Sequence, residues 1–240
     1  RGKQGEIMEL FRSPPTQPDR TRVTILLFFI WFAQSYMYYG VIFTFPITLT
    51  HSGESAHGMT GQVVFAAFGE LLGALSAIFL VELPFFGTRR LLMFEEVLAV
   101  ITFFLCAWMA ALPEKTPNRA IIFFWFVFSS KIWTNGAFDL VFPYTAEYYP
   151  TRLRGTGLGY GSAAARVGGI ITPYAALQLH EKMGRHAPYV NFGIAGIVGV
   201  MFIYFLPEVR GLYNESDRPE ENAGAGNEED HLPLLSQQDG

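Results

Sequence analysis

VTILLFFIWFAQSYMYYGVIFTFPITLT, residues 23–50, contains no Asp, Glu, Lys or Arg across 28 consecutive positions. As a helix rising 1.5 Å per residue it is about 42 Å long, more than the roughly 30 Å of a bilayer's hydrocarbon core. A helix packed on a soluble core would show a charged stripe, and this one has none. Working outward, five further apolar stretches follow. The expected spans lie at about 23–47, 59–83, 89–112, 119–145, 155–179 and 188–206, broken by only a few ionisable residues. The fold class is an all-α membrane protein with six transmembrane helices over 23–206. Residues 1–22 read as a cytosolic loop, and 207–240 as a disordered cytosolic tail, too poor in large apolar side chains to fold alone.

The polar ends explain why mean hydropathy is only +0.25 and why a net charge of −4 describes the tails more than the apolar middle. One cysteine, Cys106, permits no intrachain disulfide. Residues 1–22 hold no apolar run of the kind a cleavable signal needs, and the first residue is Arg rather than Met, so the chain reads as a fragment. If the loops alternate sides, eleven Lys and Arg lie on the side of both termini and four on the other. The positive-inside rule therefore puts both termini in the cytosol, and an even number of spans follows.

Small residues mark expected helix contacts: Gly69, Gly73 and Ala77 in the second span, Gly155, Gly157, Gly159 and Gly161 opening the fifth, Gly193, Gly196 and Gly199 in the last. The alternating glycines at 155–161 match neither a dinucleotide fingerprint nor a P-loop. His180 and His186 have the wrong spacing for a zinc-binding helix, and no nucleophile and base pair stands out. No enzyme activity, metal, cofactor or nucleic-acid partner is expected.

Two stretches carry a resemblance. Ala146-Glu-Tyr-Tyr-Pro-Thr-Arg-Leu-Arg-Gly155, followed by Ala165-Arg-Val-Gly-Gly-Ile-Ile-Thr-Pro173, resembles the A-E-x-x-P-x-x-x-R-G and R-x-G-G-x-x-x-P signature of the major facilitator superfamily. The similarity is to the branch that holds sugar porters, organic-ion transporters and synaptic-vesicle-related transporters. Pro207-Glu-Val-Arg-Gly211 is similar to that branch's P-E-T-x-G motif. The loop Glu82-Leu-Pro-Phe-Phe-Gly-Thr-Arg-Arg90 departs from D-x-x-G-R-R by a displaced acid and two inserted aromatics. The first span lacks the sugar-porter Q-Q-x-S/T-G-x-N run. The resemblance implies the carboxyl-terminal six-helix half of a transporter whose two halves rock about a site near the midplane. Its partners would be the amino-terminal half, the lipid bilayer and a small organic solute, with protons as a candidate coupling ion.

Glu70, Lys131 and Arg166 lie 11 or 12 residues into their spans, roughly 16–18 Å deep. Intramembrane charges face a cavity or one another. Two readings stand: Glu70 pairs with Lys131 or Arg166, or the leftover positive charge meets an anionic substrate. In organic-ion relatives the position matching Arg166 tends to carry Arg in anion-handling members and Asp in cation-handling ones. Lys131, Asn135 and Asp139 share one helical face at spacing four. Glu70 is the proton-coupling candidate on depth, Asp139 a second. Gln34 and Tyr36 are expected along the substrate pathway, with Tyr38 and Tyr39 at the interface. The resemblance also implies a cytosolic gating network of Glu147, Arg154, Glu208, Arg210, Arg89 and Arg90. Asp230, Leu234 and Leu235 fit an acidic dileucine motif, whose partner would be a vesicle adaptor.

The expected function is secondary transport of a small organic solute, with anion favoured over sugar or organic cation. The alternative is a transport-inactive vesicle protein acting in trafficking or as a receptor. Endosomal, lysosomal, vacuolar, synaptic-type vesicle and plasma membranes all fit.

Overall fold

The computed structural model describes residues 3–13, 19–50, 56–113 and 115–209. Seven helices occupy them: α1 (Lys3–Leu10), α2 (Arg20–Thr50), α3 (Ala56–Val81), α4 (Thr88–Ala111), α5 (Arg119–Tyr148), α6 (Thr151–Met183) and α7 (Ala187–Tyr204). Five of these, α2, α3, α4, α5 and α7, are long and apolar enough to cross a membrane. The sixth expected span is α6. It is the longest helix, at 33 residues, but its glycines and the charges at 152, 154, 166, 181 and 182 dilute its apolar content. The fold is all helical, as the apolar blocks require.

Boundaries differ from the expected spans by a few residues in both directions, α3, α4 and α7 ending one or two residues early. α2 starts at Arg20 instead of 23, and α6 runs from Thr151 to Met183 instead of over 155–179. Residues 1–22, expected as a loop, contain α1. Leu10 of that helix is fully buried, Glu9 pairs with Arg152 at 2.8 Å, and Thr24 donates to the Leu10 carbonyl at 3.0 Å. The motif at 146–155 forms a tight turn in which Tyr149 closes α5 and Pro150, which cannot continue a helix, opens α6. Pro46, Pro143 and Pro173 lie inside long helices, where bundle neighbours offset the lost hydrogen bonds.

Interchanging α2–α4 with α5–α7 leaves the pattern of neighbours unchanged. The packing of α2 on α6 maps onto that of α5 on α3, and α4 on α5 maps onto α7 on α2, while α2·α5 and α4·α7 map onto themselves. Such a three-plus-three repeat is a known transporter architecture. Equivalent glycines build the two outer seams. On α3, a Cβ at Gly73 would strike the Ile132 carbonyl of α5; on α6, a Cβ at Gly168 would lie 2.7 Å from the Phe32 carbonyl of α2. The run at 155–161 splits by face: Gly157 and Gly161 pack against Tyr149 and Trp31, while Gly155 and Gly159 look into open space.

The interior divides into two apolar clusters. One gathers Leu10, Trp31, Leu92, Tyr144, Leu153 and Ile203; the other Met37, Phe45, Phe103, Val127, Tyr189 and Phe192. A set of buried polar side chains from three helices falls between them: Gln34 and Ser35 on α2, Glu95 and Glu96 on α4, and Lys131 and Thr134 on α5, with the buried Gly199 of α7 against Glu96. Polar groups sit where they can serve one another, and apolar packing seals them on both sides.

Candidate functional site

Lys131 of α5 forms an ion pair with Glu70 of α3. The lysine is 8% exposed and the glutamate 30%, so the pair stands at the edge of the bundle and opens outward. Tyr38 of α2 donates to the other Glu70 oxygen at 3.2 Å. Asn135, one turn along α5, donates to the Glu70 main-chain oxygen at 3.0 Å and to Asp139 Oδ2 at 2.9 Å. The spacing-four row Lys131, Asn135, Asp139 shares a face, as the sequence indicated, and Lys131 and Asn135 bind α5 to α3. Of the two pairings left open for Glu70, the structure makes the one with Lys131.

Arg166 stands apart. It is exposed on α6 and makes no ion pair among the described residues. The exposed face of α6 also carries Gly159, Ala163, Ile170 and Tyr174, and no other described helix covers it. One turn from Arg166, Tyr39 of α2 lies against Gly169, and the Tyr39 ring meets the Tyr38 ring edge-on at 5.2 Å. A polar and aromatic line therefore runs from Lys131 and Glu70 through Tyr38 and Tyr39 to the neighbourhood of Arg166.

Two further residues expected on the pathway, Tyr36 and Gln34, make their contacts inside the bundle. Tyr36 accepts from Asn191 of α7 at 2.6 Å and packs against Phe192. It faces into the bundle, and Tyr38 is the tyrosine that joins Glu70. Gln34 is fully buried and donates to Glu96 of α4 at 2.6 Å. Glu95 and Glu96, both fully buried, were not singled out from the sequence. Two adjacent acids in an apolar run are the signal that could have found them.

The expected gating residues collect at the end of the bundle bearing the α5–α6 turn. A cavity of about 640 Å³ is lined by Asp139, Glu147, Arg154, Glu82 and Thr88, with Val209 beside them. Glu147 accepts from Thr88 at 3.0 Å. Arg89 donates to the last carbonyls of α7, Tyr204 at 2.6 Å and Ile203 at 3.4 Å, placing a cation at the negative end of that helix. Arg90 donates to the Phe85 carbonyl at 3.5 Å. The Glu208 carboxylate lies beside Gly87 at the start of α4, and neither of its oxygens has a hydrogen-bond partner; nor has Arg154 Nε. No ion pair joins these residues among those described. Glu147 and Arg154 share the cavity, with Arg89, Arg90 and Glu208 outside its lining, and the group does not close into a salt-bridged network among the described residues. Nearby, Tyr149 donates to Thr24 at 2.8 Å, and burial pushes its phenol up to about 12, so it remains a neutral donor. Arg210, Asp230, Leu234 and Leu235 lie outside the described residues.

Residues 2–216 match the family model described as sugar (and other) transporter. The chain belongs to that family. Among curated relatives, this family member is 31% identical over 209 residues to "Putative transporter svop-1" of Caenorhabditis elegans, covering 79% of the chain and 38% of the relative. It is 32% identical over 210 residues to "Solute carrier family 22 member 6" of Rattus norvegicus, covering 87% and 34%. "Solute carrier family 22 member 13" of Homo sapiens is 29% identical over 216 residues, covering 88% and 34%. The chain thus spans little more than a third of the length of these relatives. Among solved structures, the inward open xylose transporter XylE of E. coli superposes with a TM-score of 0.65 at 16% identity, over 90% of this chain and 57% of that one. At that identity the likeness bears on the fold, and the fold is that of a major facilitator transporter.

Proposed function

We propose that the chain is the carboxyl-terminal half of a secondary transporter that moves a small organic anion by alternating access. The observation that carries the reading is the charge balance of the exposed pathway face: Glu70 is engaged by Lys131, and Arg166 makes no ion pair among the described residues. One acid against two bases leaves a single positive charge. A guanidinium on a helix face open to lipid would be costly, so the uncovered face of α6 is read as the one that meets the amino-terminal half and the solute. The planar guanidinium fork suits a carboxylate held at two points.

In this reading Tyr38 and Tyr39 line the path between the Glu70–Lys131 pair and Arg166. Glu70 is the candidate carrier of a coupling proton, and the cavity around Asp139, Glu147 and Arg154 is the cytosolic vestibule. The length of the relatives, more than twice that of this chain, supports a second half elsewhere in the full protein.

The test is uptake of a panel of monocarboxylates, sugars and organic cations by the full-length carrier in proteoliposomes, with the amount of reconstituted protein measured for each variant. Arg166→Lys should keep the charge and weaken anion uptake, and Arg166→Asp should lower it by about tenfold or more. Undiminished anion uptake in Arg166→Asp would overturn the anion reading. No uptake of any solute by the unaltered carrier would favour a transport-inactive protein.

A further inference from the structure

Among the buried side-chain oxygens without hydrogen-bond partners, two belong to side chains that already share a hydrogen bond. Gln34 Nε2 donates to Glu96 Oε2 at 2.6 Å, while Gln34 Oε1 and Glu96 Oε1 are both unpartnered. Both residues are fully buried. As a carboxylate, Glu96 has only acceptors, so Gln34 Oε1 can gain nothing from it. As a carboxylic acid it has one donor, and that donor matches the oxygen that lacks one. Amide N–H to acid C=O, with acid O–H to amide C=O, closes a cyclic pair that satisfies both groups.

The surroundings contain nothing else to balance a charge. From α2 the facing polar group is Gln34 alone; from α7, Gly199 brings backbone close enough that a Cβ there would lie 2.5 Å from Glu96 Oε1. No Lys, Arg or His among the described residues pairs with Glu96, and no other titratable side chain acts on it from α3, α5 or α7. Glu95, its neighbour in sequence, points the other way, accepting from Ser76 of α3 at 2.9 Å and facing Gly136 and Asp139 of α5. An ionised carboxylate at 96 would be a buried charge without a counterion, the costliest arrangement available to it.

We infer that Glu96 is a proton-binding site at the junction of α2, α4 and α7, its proton held between the Glu96 carboxyl and the Gln34 amide. Binding is reversible O–H formation on Glu96 Oε1, and release returns H⁺ to solvent or to a coupled site. The bound proton ties α2 to α4. Release replaces one of the two contacts by two acceptor oxygens facing each other and leaves the Gln34 Nε2 bond as the remaining tie, which changes the seating of α2, the helix that carries Tyr38 and Tyr39 to the pathway. The site is separate from the Glu70–Lys131 pair, and its occupancy does not depend on which solute is carried.

The experiment is an infrared pH titration of the purified full-length carrier in nanodiscs, in H₂O and D₂O. The expected result is a carboxylic-acid C=O band at neutral pH that shifts on deuteration, persists in Glu95→Gln and is lost in Glu96→Gln, which keeps the side-by-side pairing through its amide. Gln34→Leu opens the ring and should move the same band to the frequency of an unpaired acid. An identical band in the unaltered protein and Glu96→Gln at every pH overturns the proton site. A Glu96 band unmoved by Gln34→Leu overturns the paired geometry, and this arm stands even if Glu96→Gln fails to accumulate.

Discussion

Tyr38 donates at 3.2 Å to the Glu70 oxygen that Lys131 leaves free, so one carboxylate of α3 is held at once by α2 and α5. Removing only the hydroxyl, in Tyr38→Phe, deletes the α2 contact and leaves the ion pair. A hydrogen bond to a charged group contributes about 1.5–3 kcal/mol, reduced here because the site is partly open to solvent. The expected effect on uptake by the full-length carrier is several-fold, with normal membrane levels. Tyr36→Phe, which alters a contact with Asn191 instead, should change uptake less. Equal losses in the two variants would show that Tyr38 has no special place on the pathway.

The Glu70–Lys131 pair predicts a rescue. Glu70→Gln leaves a nearly buried ammonium unpaired, and breaking a buried pair from one side costs about 3–5 kcal/mol, less here because Glu70 is 30% exposed. Membrane levels and thermal stability in detergent should fall. Adding Lys131→Met removes the stranded charge and should restore most of both. If the double variant is no more stable than the single one, the pair is not the source of the loss.

Packing along the outer seams predicts a contrast between glycines. Gly73→Leu and Gly168→Leu drive a side chain into the backbone of the neighbouring helix; overpacking of this kind costs about 1–3 kcal/mol or more. Gly159→Ala meets nothing within 4 Å and should leave folding intact. Melting curves of the purified variants decide it, and a Gly168→Leu protein as stable as the unaltered one would contradict the close approach of α6 to α2.

The charge asymmetry predicts topology. A cysteine placed at Gly53 in a Cys106→Ser background should react with an impermeant reagent from outside intact cells, and one at Ser236 should not. Labelling at 236 alone would invert the orientation.

The acidic dileucine motif predicts location. Leu234→Ala with Leu235→Ala should shift the protein from internal membranes to the plasma membrane, as seen by microscopy of a tagged carrier. An unchanged distribution removes the motif from sorting.

Helix positions were legible because burial in lipid leaves a coarse mark: long runs without charge. Depth was legible too, since counting residues placed Glu70 and Lys131 at one level and the structure joins them. Direction was harder. Depth along α2 does not say which way a side chain points, and neighbouring positions on a helix diverge by about 100°, so Tyr38 meets Glu70 while Tyr36 turns to Asn191. The same rotation sends Glu95 and Glu96 to different neighbours, toward Ser76 and toward Gln34. α1 escaped notice because, among its described side chains, the fully buried one is Leu10, seated on distant parts of the chain.

The seams at Gly73 and Gly168 have a mechanical side. α3 leans almost wholly on α5, and α6 leans mainly on α2 with lesser bracing from α1, α5 and α7, whereas α2, α4, α5 and α7 are tied to one another around the polar layer. The half is built like a doorframe with two leaves, each hung along one edge. A push on the free edge of a leaf loads a single line of glycine contacts before it reaches the frame. A bulky residue in either hinge line would jam one leaf and leave the other able to swing.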